Sequence, residues 1–181
     1  MPTSFTHAAF SFVAGRALDR KLSTTALVAG MAISALPDVD VVGLLFGIPY
    51  GHPLGHRGLT HSIAFALLSA TVCWMLLRNS SSSPGLLWTF LFVSAVSHPL
   101  LDAMTNGGLG VAFFAPFTNT RYFFSFRPIE VSPIGADFFS MRGLRVLASE
   151  FVWVWIPAAI FAVSVEFVRR KRSIQEHTQE S

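Results

Sequence analysis

Residues 86–104 read LLWTFLFVSAVSHPLLDAM. The segment is apolar and long enough to cross the hydrocarbon of a bilayer, which takes roughly 17 to 25 helical residues. Its last turns are different in kind. His98 and Asp102 stand four positions apart, so on a helix they share one face. Ionisable side chains at membrane depth are costly and are usually functional. The two could bind one cation together, or Asp102 could orient His98 as its ligand partner. A polar pair that only packs helices together is the bland alternative. Pro99, between them, removes one helical hydrogen bond.

The whole chain agrees with a membrane reading. It has 181 residues, enough for one domain, of which 52% are hydrophobic and only 13% charged. A soluble domain carries about 25% charged residues, because water-facing surface needs them. Besides 86–104, apolar segments run over about 5–18, 22–36, 62–77 and 146–168. The first two are short for a span, the third marginal and the last long enough. The expected fold class is therefore all-α: a polytopic membrane bundle of four to five helices, embedded over 1–168. Residues 169–181 are expected to form a basic, disordered tail. The Ser80–Gly85 stretch is a turn signal. No cleavable signal peptide is expected, since such a segment starts with positive charge and the first basic residue is Arg16.

The net charge of +3 does not indicate nucleic acid, because the excess sits in Arg169-Arg170-Lys171-Arg172, directly after an apolar helix. That is the pattern of a cytoplasmic anchor. With that cluster inside, helix alternation also puts Arg16, Arg20, Lys21 and Arg78 inside. Arg57, Arg121, Arg127, Arg142 and Arg145 then lie outside. The C-terminus is thus expected to be cytoplasmic. The lone Cys73 excludes an internal disulfide and a thiolate cluster. Cys73 and the tryptophans read as packing and anchoring residues.

The same alternation gathers the polar motifs at the other end. His7 opens the first helix, Asp38 and Asp40 follow the second, His56 and His61 precede the third, and His98 and Asp102 close the fourth. In Leu36-Pro37-Asp38-Val39-Asp40 the proline is expected to push Leu36 out of helical geometry. An extended backbone would then aim both carboxylates the same way. In His56-Arg57-Gly58-Leu59-Thr60-His61-Ser62 the histidines, five apart, diverge on a continuous helix. They converge if His56 lies in a loop and His61 opens the helix, with Thr60 as N-cap. Arg57 would then stand beside the site as a phosphate clamp, helped by Arg121 or Arg127. A polar loop with solvated histidines is the plainer reading. The Thr105-Asn106-Gly107-Gly108 turn either makes a small anion-binding concavity or simply ends its helix. The phenylalanine-rich stretch over 112–126 reads as an interfacial cap. His52 and His177 are given no role, as loop and tail residues.

This set of motifs resembles the YdjM-like family, small bacterial inner-membrane proteins described as predicted metal-dependent hydrolases. The resemblance covers about residues 5–130, and no shared motif is recognised after Pro128. It implies a bound metal, hydrolase activity and a place in the bacterial inner membrane.

The expected metal ligands are His7, Asp38, Asp40, His61, His98 and Asp102, with His56 and Arg57 as catalytic residues. Histidine and carboxylate ligands without thiolates suit a divalent ion, zinc foremost, or manganese or iron, with room for one or two ions. The leading expectation is a membrane hydrolase acting on a phosphoester of a lipid or membrane-associated substrate. The alternative is a non-enzymatic protein that binds or transports a metal. Transport sites usually sit near the midplane, whereas these ligands gather at one end. An intramembrane metalloprotease ranks last, because HExxH is absent.

Overall fold

The computed structural model describes residues 1–80, 83–133 and 135–179, without the side chains of 80 and 177–179. The loop signal over 80–85 therefore falls partly, and the His177 side chain wholly, outside the described residues. The fold is all-helical. Helix α1 spans Ser4–Leu18, α2 Thr24–Ala35, α3 Val42–Leu45, α4 Ile63–Leu77, α5 Pro84–Ala103, α6 Met141–Glu150 and α7 Ile156–Gln179. Among the described residues the only β pairing is two isolated bridges, Thr105 with Ile129 and Val111 with Tyr122.

Local chemistry sets most helix starts. Ser23 caps α2 by accepting from the Ala26 N–H, and Ser62 caps α4 by accepting from Phe65. Pro84 occupies the first turn of α5, where its missing N–H costs nothing. The N-cap of α4 is therefore Ser62 and not Thr60, which lies in the 3-10 turn Leu59–His61 ahead of it.

Two boundaries differ from the sequence expectation. Leu36 stays helical (φ −57°, ψ −39°), and Pro37 opens a 3-10 helix, Leu36–Val41, that leads straight into α3. A proline is compatible with the first turn of a new helix, and here the chain tightens instead of extending. The second segment thus becomes a run of 22 residues, Thr24–Leu45, long enough to span. The last helix starts early, at Met141. A π-helical turn, Phe151–Trp155, joins α6 to α7, which runs past Val168 through the basic cluster to Gln179.

Among the described residues three runs are long and apolar enough to cross a membrane: Thr24–Leu45, Pro84–Ala103 and Met141–Glu176. The shorter α1 and α4 pack among them. Helices α1, α2 and α5 meet closely because glycines face Phe90. A Cβ on Gly30 would lie 2.2 Å from Phe90 Cζ, and one on Gly15 would lie 2.7 Å from both Leu27 and Phe90. Small residues at such contacts let helices pack where no water drives them together. A serine pair, Ser11 Oγ to Ser94 Oγ at 2.8 Å, bridges α1 and α5 nearby.

The two ends of this bundle are chemically distinct. At one, Arg169 donates to the last carbonyls of α1, on Arg16, Ala17 and Leu18, and Arg20 pairs with Glu166. At the other lie the start of α1, the 3-10 helix after α2, the start of α4 and the end of α5. The irregular segment between α5 and α6 covers that end. Its Phe113 carbonyl accepts from Ile63, and its Ala112 N–H donates to Arg57 O.

Candidate metal centre

Four elements bring the sequence-selected side chains together. His7 comes from the first turns of α1, Asp38 and Asp40 from the 3-10 helix, His61 from the turn before α4, and His98 and Asp102 from the end of α5. His7, His61, His98 and Asp102 are fully buried; Asp38 and Asp40 keep 8% and 3% of their side chains exposed.

Four atoms face one another. His98 Nε2 lies 3.1 Å from His61 Nε2 and 3.3 Å from Asp38 Oδ1. His61 Nε2 lies 3.3 Å from Asp102 Oδ2 and 3.8 Å from Asp38 Oδ1. His98 Nε2 stands 3.9 Å from Asp102 Oδ2. A tetrahedral zinc site with bonds of 2.0–2.2 Å has ligand–ligand edges of about 3.3–3.6 Å. The five separations bracket that value.

The tautomers fit as well. His98 Nδ1 lies 2.7 Å from the Ser34 carbonyl, which can only accept, so Nδ1 carries the proton and Nε2 offers a lone pair. His61 Nδ1 lies 3.1 Å from Asp40 Oδ2, which orients its Nε2 likewise. Asp38 Oδ1 and both Asp102 oxygens are buried without a hydrogen-bond donor, and so are both ring nitrogens of His7. A convergence of electron pairs with so few donors needs positive charge. Burial opposes a cation on His61, but the facing carboxylates of Asp102, Asp38 and Asp40 outweigh it and push its pKa up to about 10. The carboxylates that favour a proton on His61 would equally favour a metal ion in its place. Asp38, Asp40 and Asp102 carry three negative charges against one on Arg57, leaving two for a divalent ion to balance.

Asp40 is surrounded by donors. Its Oδ2 accepts from Thr60 Oγ1 at 2.6 Å and from the Arg57 N–H at 3.2 Å, besides the His61 contact. Its Oδ1 lies 2.7 Å from His56 Nδ1. In the 3-10 helix Asp38 and Asp40 therefore flank His61 from its two ring nitrogens and otherwise turn to different partners: Asp38 toward His98 and Ser4, Asp40 toward His56. His7 stacks on the His98 ring, centroids 3.8 Å apart, with its Nε2 3.9 Å from Asp102 Oδ1. One face of Asp102 thus looks to His61 and His98 and the other to His7. Two clusters of potential ligands result, His7–His98–Asp102 and Asp38–His56–His61.

Arg57 is fully buried, at a left-handed φ of 62°. A non-glycine residue there costs about 1 kcal/mol or more and persists only where its surroundings hold it. Arg57 NH1 donates to Gly107 O and NH2 to Thr105 Oγ1, both at 3.0 Å. Its Nε lies 3.1 Å from Asp102 Oδ2, an ion-pair contact outside hydrogen-bond alignment. The Thr105–Gly108 turn is thus a seat for a guanidinium, not an empty concavity. Gly108 (φ +90°) is needed there, since a Cβ would come within 2.9 Å of Arg57 NH1. Arg121 serves the loop itself, donating to the carbonyls of His56, Tyr50 and His52. Arg127 lies over the Phe123 ring, 4.7 Å from its centroid.

The family described as YdjM inner membrane protein matches residues 1–173. The chain belongs to that family. Over 174 residues it is 38% identical to inner membrane protein YbcI of Escherichia coli (strain K12), a match covering 94% of this chain and 100% of that protein. No solved structure matches. The family match runs well past residue 130 and takes in α6 and most of α7, so the likeness is not confined to the histidine and aspartate motifs. Membership in the YdjM family makes this a membrane protein of an inner-membrane family, in keeping with its three candidate spans.

Sequence reasoning missed one polar residue at this end. Glu150, at the close of α6, is buried and accepts hydrogen bonds from Thr3 and Thr6 of α1. The signal was available: a carboxylate within a long apolar helix is a functional candidate by default.

Proposed function

We propose that this YdjM-family protein is a membrane-bound, metal-dependent hydrolase that acts on a phosphoester of a lipid or membrane-associated substrate. The observation that carries the reading is the convergence of Asp38, His61, His98 and Asp102 at ligand–ligand distances, with carboxylate oxygens left without donors. Zinc fits the four-ligand geometry best, and manganese or iron fit the same donors. His7, on the free side of Asp102, offers a ligand for a second ion.

Loaded with a divalent ion, these residues would hold a Lewis acid able to stabilise charge on phosphoryl oxygens and to acidify water. The chain's own residues do the rest. Asp38, His61, His98 and Asp102 bind the ion. Asp40, saturated by donors, orients His61 and His56 instead of binding the ion itself. His56, its Nδ1–H directed at Asp40, keeps Nε2 as a proton acceptor, with its ring edge-on to His61 at 5.3 Å. Arg57 lends its fixed charge through Asp102; direct contact with a phosphate would require it to leave Gly107 or Thr105. The exposed Phe114, Phe117, Phe124 and Phe126 suit a covering segment at headgroup level. With the basic end in the cytoplasm, the centre faces outward.

One observation favours a non-enzymatic metal-binding protein: four protein ligands in a buried, closed set is the pattern of structural zinc, whereas catalytic zinc keeps a position open. A single experiment separates the two. Purified wild-type, His61→Ala and His56→Ala proteins are assayed for metal content and for hydrolysis of phospholipids and polyprenyl phosphates. The hydrolase reading requires His61→Ala to lose metal and turnover, and His56→Ala to keep metal and lose turnover. Metal retained by wild type without hydrolysis of any ester would move the assignment to metal binding or, if liposomes show metal flux, to transport.

A further inference from the structure

The polar end contains a second buried network that the metal centre does not use. Glu150 Oε1 accepts from the Thr3 N–H at 2.5 Å, and Oε2 accepts from the hydroxyls of Thr3 and Thr6, each at 2.7 Å. Trp155, in the π-helical turn, adds a bond from Nε1 to Thr6 Oγ1 at 2.9 Å. Thr3, Thr6 and Glu150 are all buried. Helix α1 has no side-chain cap of its own: Thr3 stands at the N-cap and makes no capping bond. A carboxylate at a helix start is favoured by the free N–H groups and the helix dipole. Glu150 occupies that position from a helix more than 140 residues later in the chain.

The turn that Glu150 fixes is the one that presents His7. The Thr3 carbonyl accepts from the N–H groups of both Thr6 and His7, at 2.9 and 3.3 Å. Among the described residues neither ring nitrogen of His7 has a hydrogen-bond partner, so its backbone and its stacking on His98 place the imidazole beside Asp102. We infer that Glu150 is a positioning residue: by clamping Thr3 and Thr6 it ties the α6–α7 helix to the first turn of α1 and sets His7 against the metal centre. The inference rests on the metal reading for its functional meaning, but the placement of His7 is testable without any metal.

The test has two readouts on full-length protein in detergent. In metal-free protein, carbethoxylation of each histidine by diethyl pyrocarbonate is followed by mass spectrometry, for wild type, Glu150→Ala and the milder Thr6→Val. Labelling of His7 is expected to rise on the order of tenfold in Glu150→Ala, the scale set by losing a few buried hydrogen bonds. A smaller rise is expected in Thr6→Val, with His61 and His98 still protected. His7 staying protected in both variants, or all three histidines opening together, overturns the inference. The second readout is the visible absorption of cobalt(II) added to wild type, His7→Ala, Glu150→Ala and Glu150→Gln. Glu150→Ala is expected to reproduce the spectrum of His7→Ala. Glu150→Gln, which keeps an acceptor for the Thr3 N–H, is expected to stay nearer wild type. A wild-type spectrum for Glu150→Ala beside an altered one for His7→Ala overturns the inference. Absence of cobalt binding by wild type would sink the metal reading instead, and the labelling experiment would still decide the role of Glu150.

Discussion

Helix α5 and the continuous α6–α7 helix look alike by hydropathy, since each is long and apolar enough to span a membrane. In the fold they are opposites: 56% of an apolar 18-residue stretch of α5 is buried inside the bundle, against 6% of such a stretch within Met141–Glu176. What separates them is where their polar side chains go. Ser94, His98 and Asp102 of α5 are buried and bonded to neighbouring helices or turned to the polar centre, and the buried Ser97 donates to the Ser94 carbonyl of its own helix. The long outer helix buries Glu150 at one end and pairs Glu166 and Arg169 with α1 and its loop at the other, with exposed apolar side chains between. Lipid tails are as apolar as leucine, so apolar residues alone cannot sort inside from outside in a bilayer. Polar residues do the sorting, because hydrocarbon offers them nothing.

The largest effect is expected where α5 carries its most committed polar group. Asp102→Ala removes two oxygens of the centre and leaves the Arg57 guanidinium buried without its counter-ion. Breaking one partner out of a buried pair costs about 3–5 kcal/mol. The variant should lose bound metal and also unfold at clearly lower denaturant. Normal stability in this variant would mean that Arg57 is held by Gly107 and Thr105 alone. A smaller loss is expected at Asp40, which touches the centre only through His61 and His56. Asp40→Asn should weaken metal affinity by about 10–100-fold, the usual range for groups that orient a ligand. A titration against a chelator of known affinity reads this directly. Complete loss of metal would instead make Asp40 a ligand.

The sequence made the centre legible because its residues are expensive. His7, Asp38, His61, His98 and Asp102 could be placed at one end by counting helix directions, with no knowledge of packing, and the fold brings them within a few ångströms. Division of labour among them was not legible. Whether Asp40 faces a metal or a donor depends on the 3-10 turn after Pro37, and proline is compatible with both an extended chain and a new helical turn. Arg57 looked like an accessible clamp because an arginine in a glycine-rich loop usually meets solvent. Its burial depends on the turn at 105–108, distant in sequence. Glu150 carried its own signal as a carboxylate in an apolar helix, but its partners, Thr3 and Thr6, are ordinary residues that no motif marks.

Two further substitutions probe the contrast between the helices away from the polar end. Gly30→Ala puts a methyl into the Phe90 ring, where the space is already filled. Overpacking of this kind costs typically about 1–3 kcal/mol, seen as a lower unfolding midpoint in an SDS titration. Ile160→Ala, on α7, removes more atoms yet should matter least. Ile160 is 62% exposed within the chain and faces the surroundings of the bundle. In water, truncation of a buried isoleucine costs about 2–5 kcal/mol. Toward lipid the removed atoms exchange one apolar neighbour for another, so a change within about 0.5 kcal/mol is expected. The same SDS titration, run in bilayer-like micelles at several protein concentrations, checks it. A cost as large as that of Gly30→Ala, and growing with protein concentration, would show that the outer face of α7 is packed against a second chain and not against lipid. The exposed surface that sets α7 apart from α5 would then be an interface, and the contrast between the two helices would hold only for the isolated chain.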